Sequence, residues 1–393
     1  MTLRLAIVHP EVEVFDEYEG GALARWTAEI CRRAPADVEV TVVGRAARRH
    51  PYAGSRALVH PMRSGMLARI PLLRRRLVHA YGRELLGHLR RTPYDVVHLH
   101  ARPQWVEGIR SRCPTARLIL HLQNDHLAPW SGAARRELFD HLDAVICCSR
   151  DLAARSQDGG EAASAAARSK VHVLFNGVDV ARFTPAPPKS GDSSRARVIV
   201  YLGRLSPEKA PHLTMKAVLE LRRRGHLVRM LVVGAHDFGP GMDTPYIASL
   251  RDLATRDPEA FEFAGYVHSQ DLPRVLARGD VYVHACTWNE PFGLATAEAM
   301  SCGLAPVVSR RGANVEVTGD PSLSFEPDDP PTELVSLLEG MLTEPARLHG
   351  AAATARARAV ALFDWDDLAK RYFDLLRSLP PRTDGHQGPS KRT

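Results

Sequence analysis

The sequence contains no run of about eighteen apolar residues, the length a helix needs to cross a bilayer. Its first stretch, MTLRLAIVHPEVEV, passes directly into strand-like alternation and lacks the ordered regions of a secretory signal, so the expected setting is the cytoplasm, with peripheral attachment to the inner membrane face left open. Cysteines in ligand spacing are also missing. Cys31, Cys113, Cys147, Cys148, Cys286 and Cys302 form no paired pattern, and the adjacent Cys147 and Cys148 lie in an apolar run, so all six read as reduced core thiols. The fingerprint G-x-G-x-x-G follows neither of the two candidate first strands, which argues against a dinucleotide oxidoreductase but not against nucleotides in general.

Acids are nearly absent from one segment of a chain whose net charge is +7. Between Arg63 and Arg91 stand Arg69, Arg74, Arg75, Arg76, Arg83 and Arg90, opposed only by Glu84. Leucines and other apolar residues recur among them at helical spacing, giving basic amphipathic helices over residues 63–91 after Pro71. Such a surface suits an anionic membrane, or is simply a solvated arginine face. No nucleic-acid module or aromatic interleaving accompanies it, so nucleic acid is not an expected partner.

A chain of 393 residues exceeds one core, and its pattern is strand alternating with helix, twice over. Leu3 to Val8, Val38 to Val43, Val96 to His100, Leu118 to Leu122, Ala144 to Cys148 and Val171 to Phe175 read as strands of a first parallel sheet, with a helix at Ala22 to Arg33. The Pro-, Ser- and Gly-rich stretch TPAPPKSGDSSRA, 184–196, reads as a linker. A second α/β pattern then starts at Val198 to Leu202. The expected organisation is a first Rossmann-like domain at 1–183, with the amphipathic segment 365–379 crossing back to it, a second at 197–364, and a disordered polar tail at 380–393.

Domains of this class bind ligands at the carboxyl ends of their strands. After the first strand, Gly20 and Gly21 stand before a helix and allow close backbone approach. At the second domain's first strand, YLGRLSPEKAPH sets Gly203, Arg204 and Lys209 where two cations can neutralise a diphosphate, unless they pair with Glu208 and other acids. His121 ends a strand in LILHLQNDH, where a structural role competes with a catalytic one. A metal set of His121, Asp125 and His126 matches no standard zinc spacing.

The stretch WNEPFGLATAEAMSCG, 288–303, carries the most chemistry. Pro291 and Gly293 break a strand-like run, Leu294 to Met300 reads as a helix, and Glu290 on the loop is followed by Glu298 within that helix. The free N–H groups of Gly293 and Leu294 at a helix start suit an anion such as a diphosphate. Two solvated glutamates in an ordinary strand-loop-helix unit is the plainer reading.

GRLSPEK at 203–209 followed by EPFGLATAEAMSCGLAPV at 290–307 resembles the retaining family-4, group 1 glycosyltransferases. NGVD at 176–179, VVG at 232–234, FAGYV at 263–267 and FDWDDLAKRY near the end extend the resemblance over nearly the whole chain. It implies two Rossmann-like domains facing each other across a cleft in the GT-B arrangement, a nucleoside-diphosphate sugar as donor with UDP expected over GDP, no cofactor and no metal. Ala210 departs from the pattern, since many relatives carry Gly after the Lys.

The resemblance implies roles. Arg204 and Lys209 hold the leaving diphosphate, joined by backbone N–H groups at Gly293 and Leu294. Glu290 contacts the donor sugar, Glu298 the ribose, and Tyr266 and Val267 border the base. His121 faces the sugar, Gly20 and Gly21 admit the phosphates, and Gly203 and Phe292 complete the donor site. The expected reaction moves a hexosyl group with retained configuration to a sugar, lipid-linked or small-molecule hydroxyl, the departing phosphate taking the proton. The segments 98–106 and 121–127 are the expected acceptor contacts and are similar to those of bacterial enzymes of surface polysaccharide or spore-coat sugars. A sugar-nucleotide epimerase and a non-catalytic nucleotide-sugar-binding protein are the alternatives.

Overall fold

Strands covered on both faces read as largely apolar runs, and LRLAIV, VVHLH, RLILHL and AVIC supply them. The computed structural model describes residues 2–17, 20–46, 52, 58–61, 74–157, 168–186, 195–236 and 244–382. The chain divides into two compact units, Met1–Phe175 with Asp366–Thr393, and Asn176–Trp365.

In the first unit the strands are β1 (Leu3–Val8), β2 (Val14–Phe15), β3 (Val38–Ala46), β4 (Leu58–Pro61), β5 (Val96–His100), β6 (Arg117–Leu122), β7 (Ala144–Cys147) and β8 (Val171–Val173). They pair in parallel in the order β2-β3-β1-β5-β6-β7-β8, with β4 also on β3. β5 and β7 are buried along their whole length. Helix Trp365–Ser378 belongs to this unit from Asp366 onward. It buries Tyr372, whose hydroxyl lies 2.9 Å from His98 Nδ1, and Arg117 Nη1 donates to Leu376 O at 2.7 Å.

The second unit contains β9 (Arg197–Leu202), β10 (Val228–Val233), β11 (Phe261–Gly265), β12 (Val281–His284), β13 (Ala305–Ser309) and β14 (Ser324–Phe325), in the parallel order β11-β10-β9-β12-β13-β14. This is the doubly wound Rossmann order, and its direction reverses between β9 and β12. The corresponding reversal in the first unit lies between β1 and β5. Both units are thus Rossmann-like α/β sheets, as expected from the alternating pattern.

The short strands β2, β4 and β14 and the helices Gly132–His141, Arg150–Gln157 and Asn314–Thr318 were not legible as periods, being too brief or too polar. Val178 N–H donates to Phe363 O at 2.7 Å, so NGVD lies in the second unit, ahead of the Pro-rich stretch. Residues 187–194 of the expected linker, 63–73 of the basic segment and 383–393 of the tail lie outside the described residues. The rest of the basic segment is helix Arg74–Arg91, which buries Tyr81, Leu85 and Leu89 and exposes Arg83, Arg90 and Arg91. Among the described residues no helix is long and apolar enough to cross a membrane.

Candidate functional site

The reversal between β9 and β12 brings together the loops that leave both strands. After β9 the chain passes Gly203 and Arg204, then a 3-10 turn at Pro207–Lys209. After β12 it passes Cys286, Trp288 and Glu290 to helix Leu294–Ser301. Thr287 N–H donates to Glu208 O at 2.9 Å and ties the two loops.

Glu290 sits at their centre and is buried. Its Oε2 accepts from Lys209 Nζ at 2.5 Å and Trp288 Nε1 at 3.1 Å, and lies 3.1 Å from His284 Nε2. Lys209 Nζ also stands 4.8 Å over the Trp288 ring. All these contacts fall on Oε2, which leaves Oε1 as the acceptor open to a ligand hydroxyl. Burial works to raise the Glu290 pKa, but the His284 hydrogen bond and charge, together with Lys209, outweigh it and hold the carboxyl at about 2. Burial likewise disfavours charge on His284, yet neighbouring Cys286 and Glu290 push that imidazole up to about 9. The Cys286 thiol is drawn down in turn, against burial, by His284 and Ser309.

Two glycines make this arrangement possible. Gly293 takes φ +85 and ψ 61 as the N-cap of helix Leu294–Ser301 and brings no side chain to cap it, and the first N–H groups of a helix lack intrahelical partners and can serve as donors. Gly312 takes φ +57, and a Cβ there would lie 2.3 Å from Glu290 O and 2.4 Å from Glu290 N. The chain beyond β13 therefore presses directly on the Glu290 backbone, fixed by Ala313 N–H donating to Glu290 O at 2.8 Å. Asn314 Nδ2 bonds Ser309 O and Cys286 Sγ, both at 3.2 Å, and locks the same loop from behind.

Arg204 is ion-paired with Glu208 at 3.2 Å, at the mouth of the same loops, and one-third of its side chain is exposed. Glu298 is buried on its helix, Phe292 is buried with its ring edge-on to Phe363 at 5.4 Å, and Tyr266 is exposed beside the half-buried Val267. Gly203 O approaches within 1.9 Å of where a Cβ on Gly234 would stand, so the β9 and β10 ends meet backbone to backbone. Ala210 takes φ +46 and ψ 45 while fully buried, a left-handed conformation that costs a non-glycine residue roughly 1 kcal/mol or more. The departure from Gly at this position is therefore a strained one.

In the first unit, Gly20 N–H donates to Asp16 O at 2.9 Å, and Gly21 N–H and Ala24 N–H donate to Glu13 Oε1 at 2.8 and 3.0 Å. A carboxylate thus occupies the helix start where an anion was expected. His121 is fully buried, its pKa lowered to about 3 by that burial. Its Nδ1 lies 3.2 Å from His98 Nε2 and its Nε2 3.0 Å from the Gln123 amide. Asp125 pairs with Arg155 at 2.8 Å, and Glu11 with Arg102 in a two-pronged bridge of 2.8 and 2.7 Å. Sequence reasoning missed His284, Trp288 and Gly312. The signals available were a histidine closing an apolar strand and a glycine three residues beyond the next one.

His284, Cys286 and Glu290 each offer a ligand atom, all within 4.8 Å of one another. Glu290 Oε2 in this set is already bonded by Lys209, Trp288 and His284.

Two family profiles match the chain, Glycosyltransferase Family 4 over residues 20–182 and Glycosyl transferases group 1 over residues 196–344. Spore coat protein SA of Bacillus subtilis is 25% identical over 302 residues, covering 72% of this chain and 78% of that protein. A D-inositol 3-phosphate glycosyltransferase of Kineococcus radiotolerans is 33% identical over 232 residues, 53% of this chain and 52% of the relative. Among solved structures, HepE of Anabaena in complex with UDP-glucose has a TM-score of 0.70 at 19% identity, over 96% of this chain and 100% of that one.

Proposed function

The chain belongs to the family 4, group 1 glycosyltransferases, and we propose that it is a retaining hexosyltransferase using a nucleoside-diphosphate sugar, with UDP preferred over GDP. The supporting observation is the Lys209–Glu290 pair at the β9–β12 reversal, beside the uncapped start of helix Leu294–Ser301. Its acceptor is a hydroxyl of a glycan, a lipid-linked sugar or a small molecule.

In this reading the diphosphate lies between Arg204, Lys209 and the N–H groups of Gly293 and Leu294, displacing Glu208 from Arg204. Cations and backbone donors aimed at the leaving group stabilise the charge that grows there. Glu290 Oε1 accepts from a hydroxyl of the donor sugar, Glu298 from the ribose, and Tyr266 and Val267 flank the base. Phe292 holds the loop by packing, and Gly20 and Gly21 admit phosphate oxygens once Glu13 gives up their helix start. His121, with both ring nitrogens engaged, is assigned no contact with the sugar.

The bond from the anomeric carbon to the phosphate oxygen breaks through an oxocarbenium-like transition state. The acceptor oxygen bonds to the same face, and its proton passes to the departing phosphate. Glu290 is ill suited to be nucleophile or base, because a carboxylate held at about 2 and bonded by Lys209 and Trp288 gives up little electron density. No metal is required by this scheme. Exposed Arg83, Arg90 and Arg91 suit an acceptor carried at an anionic membrane surface.

A thermal-shift screen against UDP, GDP and their hexose conjugates, followed by assay of nucleotide release, tests the reading. Stabilisation by a nucleotide sugar with transfer or slow hydrolysis is expected. Epimer formation would make the protein a sugar-nucleotide epimerase, and inert binding a carrier; either result overturns the proposal.

A further inference from the structure

The first unit holds a cluster of chemistry-bearing side chains of its own. His98 and His100 alternate along β5 and so share one face of the sheet, and His121 on β6 is in register with His100. All three rings are fully buried, with centroids 4.6, 5.0 and 5.2 Å apart. Each offers one ring nitrogen, the three lying within 4.8 Å of one another.

The outer nitrogens are bonded, and of the inner ones only His100 Nδ1 lacks a partner. His98 Nδ1 meets the Tyr372 hydroxyl at 2.9 Å, His121 Nε2 meets the Gln123 amide at 3.0 Å, and His100 Nε2 meets Thr27 Oγ1 at 3.4 Å. His98 Nε2 and His121 Nδ1 face each other at 3.2 Å, and His100 Nδ1 is buried with no hydrogen-bond partner. A buried polar atom left unpaired is costly. Two nitrogens on one tetrahedral zinc stand about 3.3 Å apart, given Zn–N bonds of about 2.0 Å. Metal-bound histidines are oriented by a hydrogen bond at the far ring nitrogen, which Tyr372, Gln123 and Thr27 supply here.

We propose that His98 Nε2, His121 Nδ1 and His100 Nδ1 bind a zinc-type transition-metal ion as a structural site that joins β5 and β6. Each imidazole binds neutral, its proton on the outer nitrogen, where Tyr372 Oη and Thr27 Oγ1 accept; the Gln123 amide, whose nitrogen lies 3.0 Å from His121 Nε2, turns its oxygen to that nitrogen when the metal binds. The ion lies outside the proposed transfer chemistry, so the two proposals stand or fall separately.

The full chain is expressed with zinc, or with cobalt, as the supplemented metal. Desalted protein should carry close to one metal per chain, and His100→Gln should carry little while keeping its circular dichroism. Chelation should lower the Tm by several degrees, with recovery on adding zinc. The cobalt form should show visible d–d bands without a sulfur-to-cobalt band. Metal below about one-tenth of an equivalent, or a sulfur-to-cobalt band reporting Cys286, overturns the proposal.

Discussion

Lys209 and Glu290, 81 positions apart in sequence, form a buried ion pair at 2.5 Å because β9 and β12 are neighbours where the sheet order reverses. His284 joins from the other side of the same carboxylate oxygen. A carboxylate between two cations stays ionised and fixed, which suits a hydrogen-bond acceptor for sugar and not a group that trades protons.

Stability should depend on pH through this triad. His284 is raised to about 9 from 6.5, so its contribution is complete below pH 6.5 and lost as pH climbs through 9. Glu290 is depressed to about 2 from 4.5, so its contribution is complete above pH 4.5 and lost as pH falls through 2. The triad is therefore strongest between pH 4.5 and 6.5. From the upper shift, the wild type should lose up to roughly 3 kcal/mol relative to His284→Gln between pH 6.5 and 9. Denaturant unfolding of both proteins at the two pH values checks this, and parallel curves would refute it.

Lys209→Met keeps an apolar stem over Trp288 and removes the charge. Loss of one preorganised cation at a leaving group should lower kcat by roughly 10²–10³-fold. Arg204→Gln should cost less, since Arg204 is more exposed and already shared with Glu208. Steady-state kinetics with a saturating donor separates the two, and equal losses would mean that the pair is not the stronger clamp.

Gly312→Ala should damage catalysis more than Gly293→Ala. The first forces atoms to within 2.4 Å of the Glu290 backbone and must shift that residue, lowering kcat and Tm together. The second puts a Cβ 3.2 Å from Thr296 Oγ1 at φ +85 and should chiefly raise the donor KM. Kinetics and thermal melts on both variants decide the order.

Much of the fold was legible because β5 and β7 are buried end to end, β7 with uninterrupted apolar sequence and β5 broken only by His98 and His100. β2 and β14 were not, since two residues carry no period. Glu290, Arg204 and Lys209 stood out by residue type and by family resemblance, but the partnership of Lys209 with Glu290 rather than Glu208 depends on the β9–β12 neighbourhood. His284 was hidden because it closes an apolar strand and looks like a terminal polar residue. Glu13 was hidden because its role appears only when the loop folds back on Gly21. Ala210 stood out only as a departure from the family pattern, and its positive φ exposes the strain.

Glu290→Gln is the most direct test of the central claim, because the amide keeps the shape and loses the charge. The variant, compared with wild type in transfer from its nucleotide sugar, should keep the fold and donor binding while kcat falls by at least about 10²-fold. Wild-type turnover in a folded Glu290→Gln protein would contradict the account.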